Sequence, residues 1–204
     1  MMKEKFKYSN LKFLFFFLPV LYGCSTTQVS TLSKPYRHKT YTPKTEIFVP
    51  YSIQKELNQF KLRPWKYIVI HHSASDSGNA DSIGKYHKKN RGWVNGLGYD
   101  FVIGNGSGSR DGQIEVGNRW NRQIDGAHAG NAEYNKNGIG ICLIGNFEHT
   151  SPTKSQMSSL FYLINYLQKR CHIHKDNIIY HKTFKKTACP GKYFPYNEIK
   201  ARFK

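Results

Sequence analysis

The sequence predicts an α/β domain, a single central mixed β-sheet flanked by helices. Three observations carry this: short β-branched or aromatic runs bounded by glycines, one long helix with an apolar stripe, and the interleaving of the two along the chain.

In order, residues 65–70 (WKYIVI) read as a buried strand that leads into His71 and His72. Residues 79–90 read as a short helix, with Asp81 as N-cap and Ile83, Tyr86 and His87 at helical spacing, ending before Arg91 and Gly92. Residues 99–103, 113–116 and 139–144 follow as strands. The clearest helix covers 153–170, where Met157, Leu160, Phe161, Ile164 and Leu167 form an apolar stripe after Ser151-Pro152. One further strand at 177–181 and a terminal helix at 197–203 complete the order. A length of 204 residues with 39% hydrophobic content provides for one packed domain.

The residues ahead of this domain carry an address. Lys3, Lys5, Lys7 and Lys12 precede the uncharged run FLFFFLPVLY at 13–22, which ends at Gly23-Cys24. The run is half the roughly 20 residues that a membrane-spanning helix needs. The layout resembles a bacterial lipobox, so residues 1–23 are expected to be a lipoprotein signal peptide and Cys24 the lipidated residue. Residues 24–60, rich in Ser, Thr, Lys and Pro, read as a flexible tether, and 61–204 as the globular domain. Ser25, where an aspartate is absent, points by resemblance to enteric lipoproteins to the outer membrane, facing the periplasm.

Charge narrows the partners. There are 31 basic against 13 acidic side chains, a net charge of +18; losing residues 1–23 removes four lysines and Glu4, leaving 27 against 12, or +15. So basic a chain implies an anionic partner. Export and the absence of any nucleic-acid motif exclude DNA and RNA in favour of carboxylates of the cell wall and phosphate-bearing lipids.

Several residue types suited to metal chemistry stand in the strand-end positions. His71 and His72 close a strand, where successive side chains point to opposite faces, so one of them faces a given site. His181 closes the strand at 177–181, and Cys189 follows eight positions later in KKTACPG. Catalytic zinc takes three His- and Cys-type ligands and keeps a fourth position for water. Spacing alone does not connect this pair to His71.

The ordered strings IVIHHSA (68–74), GLGYDF (96–101), GAHA (126–129), GIGICLIG (138–145) and the segment from His181 to Gly191 resemble the type-2 N-acetylmuramoyl-L-alanine amidases, a group that includes phage amidase-type lysozymes and animal peptidoglycan recognition proteins. The resemblance spans about residues 62–195. It implies a zinc site at one end of the sheet, with one ion held by His71, His181 and Cys189, and His72 as a non-ligand neighbour. It places Tyr99 and Thr187 beside the metal as catalytic helpers, and His128 in the substrate groove. Cytosolic recycling amidases rely instead on a glutamate from the strand that carries Cys142 here, so the chain lies nearer the phage and recognition-protein branch. Trp120, in NRWN, is read as a residue that stacks on sugar or stem peptide, with a buried tryptophan as the close alternative.

The implied activity is hydrolysis of the amide between N-acetylmuramic acid and L-alanine, by a monomer acting on peptidoglycan or muropeptides. Competing readings are a peptidoglycan-binding module that does not cut, which the resemblance disfavours because such relatives typically lack the cysteine, and a Cys-His hydrolase with Cys189 as nucleophile. Cys142 and Cys171 are expected as free thiols rather than a disulfide pair.

Overall fold

The computed structural model describes residues 51–203; the signal segment, Cys24 and the tether as far as residue 50 lie outside the described residues. One five-stranded mixed sheet has the order β3-β2-β4-β1-β5. Its strands are β1 (Tyr67–His72), β2 (Phe101–Ile103), β3 (Ile114–Val116), β4 (Gly138–Leu143) and β5 (Ile178–Tyr180). β1 runs parallel to β4 and β5, β4 runs parallel to β2, and β3 is antiparallel.

Among the described residues seven α-helices flank the sheet: α1 (Tyr51–Asn58), α2 (Ala80–Arg91), α3 (Asn118–Arg122), α4 (Ala132–Asn137), α5 (Lys154–Cys171), α6 (His181–Phe184) and α7 (Tyr196–Arg202). Strand alternation sorts the side chains between two faces. On one, Ile68, Ile70, Phe101, Ile103, Ile139, Ile141 and Leu143 pack against Leu160, Leu163, Ile164 and Leu167 of α5. All of these are fully buried, and each contributes about 1.5–3 kcal/mol by leaving water. The other face holds a smaller cluster of Leu97, Val102, Cys142 and Ile144, with Tyr99 and Ile83 packed on it.

The long helix starts where the sequence places it. Thr153 caps it, its hydroxyl accepting the Gln156 N–H while Gln156 Oε1 accepts the Thr153 N–H. Of its stripe, only Phe161 is not fully inside.

Several expectations are corrected. The N-cap of α2 is Asn79, whose side chain accepts the Ser82 N–H while Ser82 Oγ accepts the Asn79 N–H; Asp81, in the first turn, pairs with Lys85 instead. Packed structure begins before residue 61: Tyr51–Asn58 is helical and Leu57 is completely buried. Its apolar period over eight residues was too short to separate from a tether. His181 opens α6 rather than closing β5. The short helices α3 and α4 carry no apolar period and were not expected.

Candidate metal centre and groove

His71 and His181 reach the same place because β1 and β5 are parallel neighbours. Both histidines therefore stand at the carboxyl end of the sheet, where open α/β sheets place their sites. Cys189 arrives on the loop after α6, and Lys182 N–H donates to the Cys189 carbonyl, folding that loop back over His181. The ligand atoms of His71, His181 and Cys189 all lie within 4.8 Å of one another. Cys189 Sγ is 3.7 Å from His71 Nδ1, near the roughly 3.5 Å separation that tetrahedral zinc imposes on sulfur and nitrogen ligands.

Hydrogen bonds fix which nitrogen each ring offers. Gly138 O, 3.3 Å from His128 Nε2, can only accept, so that nitrogen carries the proton and His128 Nδ1 accepts. His71 Nε2 then donates to His128 Nδ1 at 3.0 Å, leaving His71 Nδ1 bare toward Cys189. His181 Nε2 donates to Ala129 O at 3.1 Å, leaving its own Nδ1 bare. This is the outer-sphere support that metal-binding histidines use. Burial holds His71 well below the usual imidazole range and His128 down to about 4, so both rings are neutral at pH 7. Two bare imidazole nitrogens and one sulfur, converging on one point, fit a zinc ion.

His72 shows the alternation at work. It points to the main-core face, accepts the Phe147 N–H through Nδ1 at 3.1 Å, and packs on the Phe147 ring. Its ring is outside the cluster, while its backbone N–H donates to Cys189 Sγ at 3.3 Å.

The seat of His128 is built from absent side chains. A Cβ on Gly140 would meet His128 Cδ2 at 2.5 Å, and one on Gly126 would meet the same atom at 2.5 Å. Gly140 is pinned from below: its N–H donates at 2.8 Å to Oδ2 of Asp100, which is wholly buried and whose Oδ1 has no partner. Burial pushes the Asp100 carboxyl up to about 7, against the pull of the Gly140 N–H and Arg119. This folded value lies above the unfolded one of about 3.9, so the stability that protonated Asp100 provides below about pH 4 is lost as pH rises through 7. Asp100→Asn keeps an oxygen for Gly140. It is expected to be more stable than the wild type at pH 8 and level with it at pH 4, as read by urea midpoints at the two pH values; a gap that ignores pH would sink this account.

A groove of about 960 Å³ opens beside the cluster, with Tyr99 and His128 in its lining. The Tyr99 ring lies 5.2 Å from that of His71 and 6.2 Å from that of His128. Burial, then the nearness of Cys142 and Cys189, raises the Tyr99 phenol well above its ordinary value, so it keeps its proton at neutral pH. Arg91 and Lys185 also line the groove, and no Asp or Glu does. Thr187 is exposed, and its Oγ1 accepts the Cys189 N–H at 3.2 Å, bracing that ligand's backbone.

Trp120 is a correction: it is fully buried, stacked on Trp65 at 6.5 Å and against Phe101 at 4.9 Å, and so cannot meet a ligand. The groove residues that sequence reasoning passed over are His87, Arg91 and Trp93. His87 Nδ1 accepts the Gly98 N–H at 3.1 Å and its ring lies 4.6 Å from Trp93, tying α2 to the Tyr99 loop. Its place beside Ile83 on the inward stripe of α2 was the available signal. Cys142, paired with His71 across β4 and β1, and Cys171 are free thiols.

The family profile described as N-acetylmuramoyl-L-alanine amidase (Amidase_2) matches residues 61–192. Peptidoglycan-recognition protein SC1a of Drosophila melanogaster is 32% identical over 143 residues, 66% of this chain and 71% of that protein. Among solved structures, N-acetylmuramoyl-L-alanine amidase LysC from Clostridium intestinale is similar at a TM-score of 0.59 and 35% identity, covering 68% of this chain and 85% of that one. Peptidoglycan recognition protein-LE in complex with tracheal cytotoxin, a monomeric diaminopimelic acid-type peptidoglycan, is similar at 0.56 and 30%, covering 70% and 83%. With this match and a mixed sheet that brings His71, His181 and Cys189 together, the chain belongs to the N-acetylmuramoyl-L-alanine amidase family Amidase_2.

Proposed function

We propose that the chain is a zinc-dependent amidase that hydrolyses the bond between N-acetylmuramic acid and the L-alanine of the stem peptide. The observation that carries this reading is the complete His71, His181 and Cys189 set at the head of a groove that also holds Tyr99. When bound, zinc in such a three-ligand site supplies an activated water near neutral pH and polarises the scissile carbonyl. The chain's own residues do the rest. The protonated Tyr99 hydroxyl is a hydrogen-bond donor for charge developing on the carbonyl oxygen. Neutral His128 holds the His71 tautomer, and Thr187 braces Cys189. Arg91 and Lys185, with no acid opposing them in the groove, favour a substrate that bears carboxylates, as stem peptides do.

The second reading, recognition without cutting, has support from the recognition-protein relatives. The N-terminal layout supports a lipid on Cys24 and residence in the bacterial envelope, on the outer membrane facing the periplasm.

Purified peptidoglycan incubated with residues 25–204 is expected to release stem peptides with free L-alanine amino termini, seen by mass spectrometry. Release should stop with a zinc chelator and return when zinc is added back. Binding without release at full zinc occupancy would leave the recognition reading in its place.

A further inference from the structure

Basic residues are unevenly placed in the domain. Residues 51–174 carry 15 lysines and arginines against nine acids, whereas residues 175–202 carry seven against two. All seven of these cations are exposed. The four ion pairs among the described residues use Arg63, Lys66, Lys85 and His174, so none of the seven is matched to a carboxylate. Three are instead laid over rings: Lys182 Nζ sits 3.8 Å from the Tyr196 centroid, Lys192 Nζ 5.0 Å from that of Tyr193, and the Arg202 guanidinium 4.6 Å from that of Phe161. Cation–π contacts of this kind hold a charge in place without neutralising it.

Their positions join up along the β5 edge of the sheet. Lys185 is in the groove lining beside the metal centre. Lys182, one turn earlier on α6, lies over Tyr196, which packs edge-on against Tyr180 of β5 at 4.8 Å. Tyr180 in turn lines a cleft with Lys175 and Lys200, where Asp176, the partner of His174, is the one acid. The charged ridge thus runs from the lining of the groove, through α6, to the separate cleft along β5. Unneutralised like charges held together repel one another, a cost relieved by an anionic partner that covers several of them at once.

We propose that this ridge is a second contact surface for intact peptidoglycan, gripping the carboxylate-bearing stem peptides that neighbour the one being cut. The proposal rests on the amidase reading for the identity of the polymer. It makes the chain an enzyme of the assembled wall, with soluble fragments bound through the groove alone.

The test uses residues 25–204, which contain both cores of the domain whole, carrying Tyr99→Phe so that cutting is slowed while binding is read. Co-sedimentation with purified sacculi is compared for this chain, for Lys175→Glu/Lys200→Glu with Lys182→Gln, and for the control Lys88→Glu/Lys89→Glu on α2. The ridge variant is expected to bind sacculi about tenfold or more weakly and to lose most of the salt dependence of binding. The control should change less than twofold. With Tyr99 restored, the ridge variant should cut a soluble muropeptide at the wild-type rate while cutting sacculi more slowly. Equal binding by ridge variant and wild type overturns the proposal, as does an equal loss in the control. Ridge-dependent binding to anionic phospholipid vesicles in place of sacculi overturns it in favour of a membrane surface. Because sedimentation needs no turnover, a chain that binds through the ridge yet cuts neither substrate refutes the amidase reading and leaves the ridge standing.

Discussion

Cys189→Ser is expected to abolish zinc retention and reduce hydrolysis to background while leaving the fold intact. The sulfur is the only soft donor among the three groups, and it stands 3.7 Å from the nearest ligand nitrogen. Serine is shorter-reaching and holds its proton at neutral pH, so two imidazoles remain where three ligands are needed. The fold should survive because the main core lies on the opposite face of the sheet and does not include Cys189. Metal analysis, hydrolysis and a thermal melt of the metal-free chains decide the matter together. Zinc at full occupancy with normal rates would end the ligand assignment.

The same variant separates the amidase from a cysteine nucleophile. Zinc retained with activity lost would favour the nucleophile, but the structure argues against it. A nucleophilic cysteine needs its thiol lowered by a positive neighbour, whereas burial pushes Cys189 up to about 12. The ring beside it, His71, is held neutral by burial and by the surrounding histidines. A neutral thiol among neutral imidazoles is a poor attacking group, yet it becomes a good ligand once a cation displaces its proton.

How the site was legible follows from where its parts sit in the chain. Strand order made the difference for His71 and His181, separated by 110 positions: no periodicity says that β5 lies beside β1, and only that parallel pairing brings the two together. Resemblance to a family supplied the link that spacing withheld. The helix α5 was readable from its own residues because burial on one face imposes the pattern directly, and β4 because a central strand buried on both faces reads as a continuous apolar run. Trp120 was misread since its neighbours Asn118, Arg119, Asn121 and Arg122 look solvated. In a five-residue helix the polar context is a poor guide: Trp120 enters the core and Arg119 is buried with it, its Nε donating to the Leu97 carbonyl, while Asn118 and Arg122 stay exposed. Gly138 reads as a strand boundary and Gly140 as a strand residue like its neighbours, but both act as the flat ground on which Val69 and His128 rest. A missing Cβ leaves no mark in a hydrophobic pattern.

Tyr99→Phe separates catalysis from recognition. Phenylalanine keeps the ring between His71, His87 and His128, so zinc content and KM should hold. Only the hydroxyl goes. Losing one donor aimed at a developing oxyanion costs about 10²–10³ in rate, or about 2.7–4 kcal/mol, and the loss is expected in kcat. Burial of the phenol keeps it from ionising, so its proton is present for the reaction at neutral pH. Steady-state rates on a soluble muropeptide, paired with zinc analysis, make the comparison. A kcat within twofold of wild type would remove Tyr99 from the chemistry and leave it as packing for the histidines. A loss confined to KM would make its hydroxyl a substrate contact whose strength does not change on the way to the transition state.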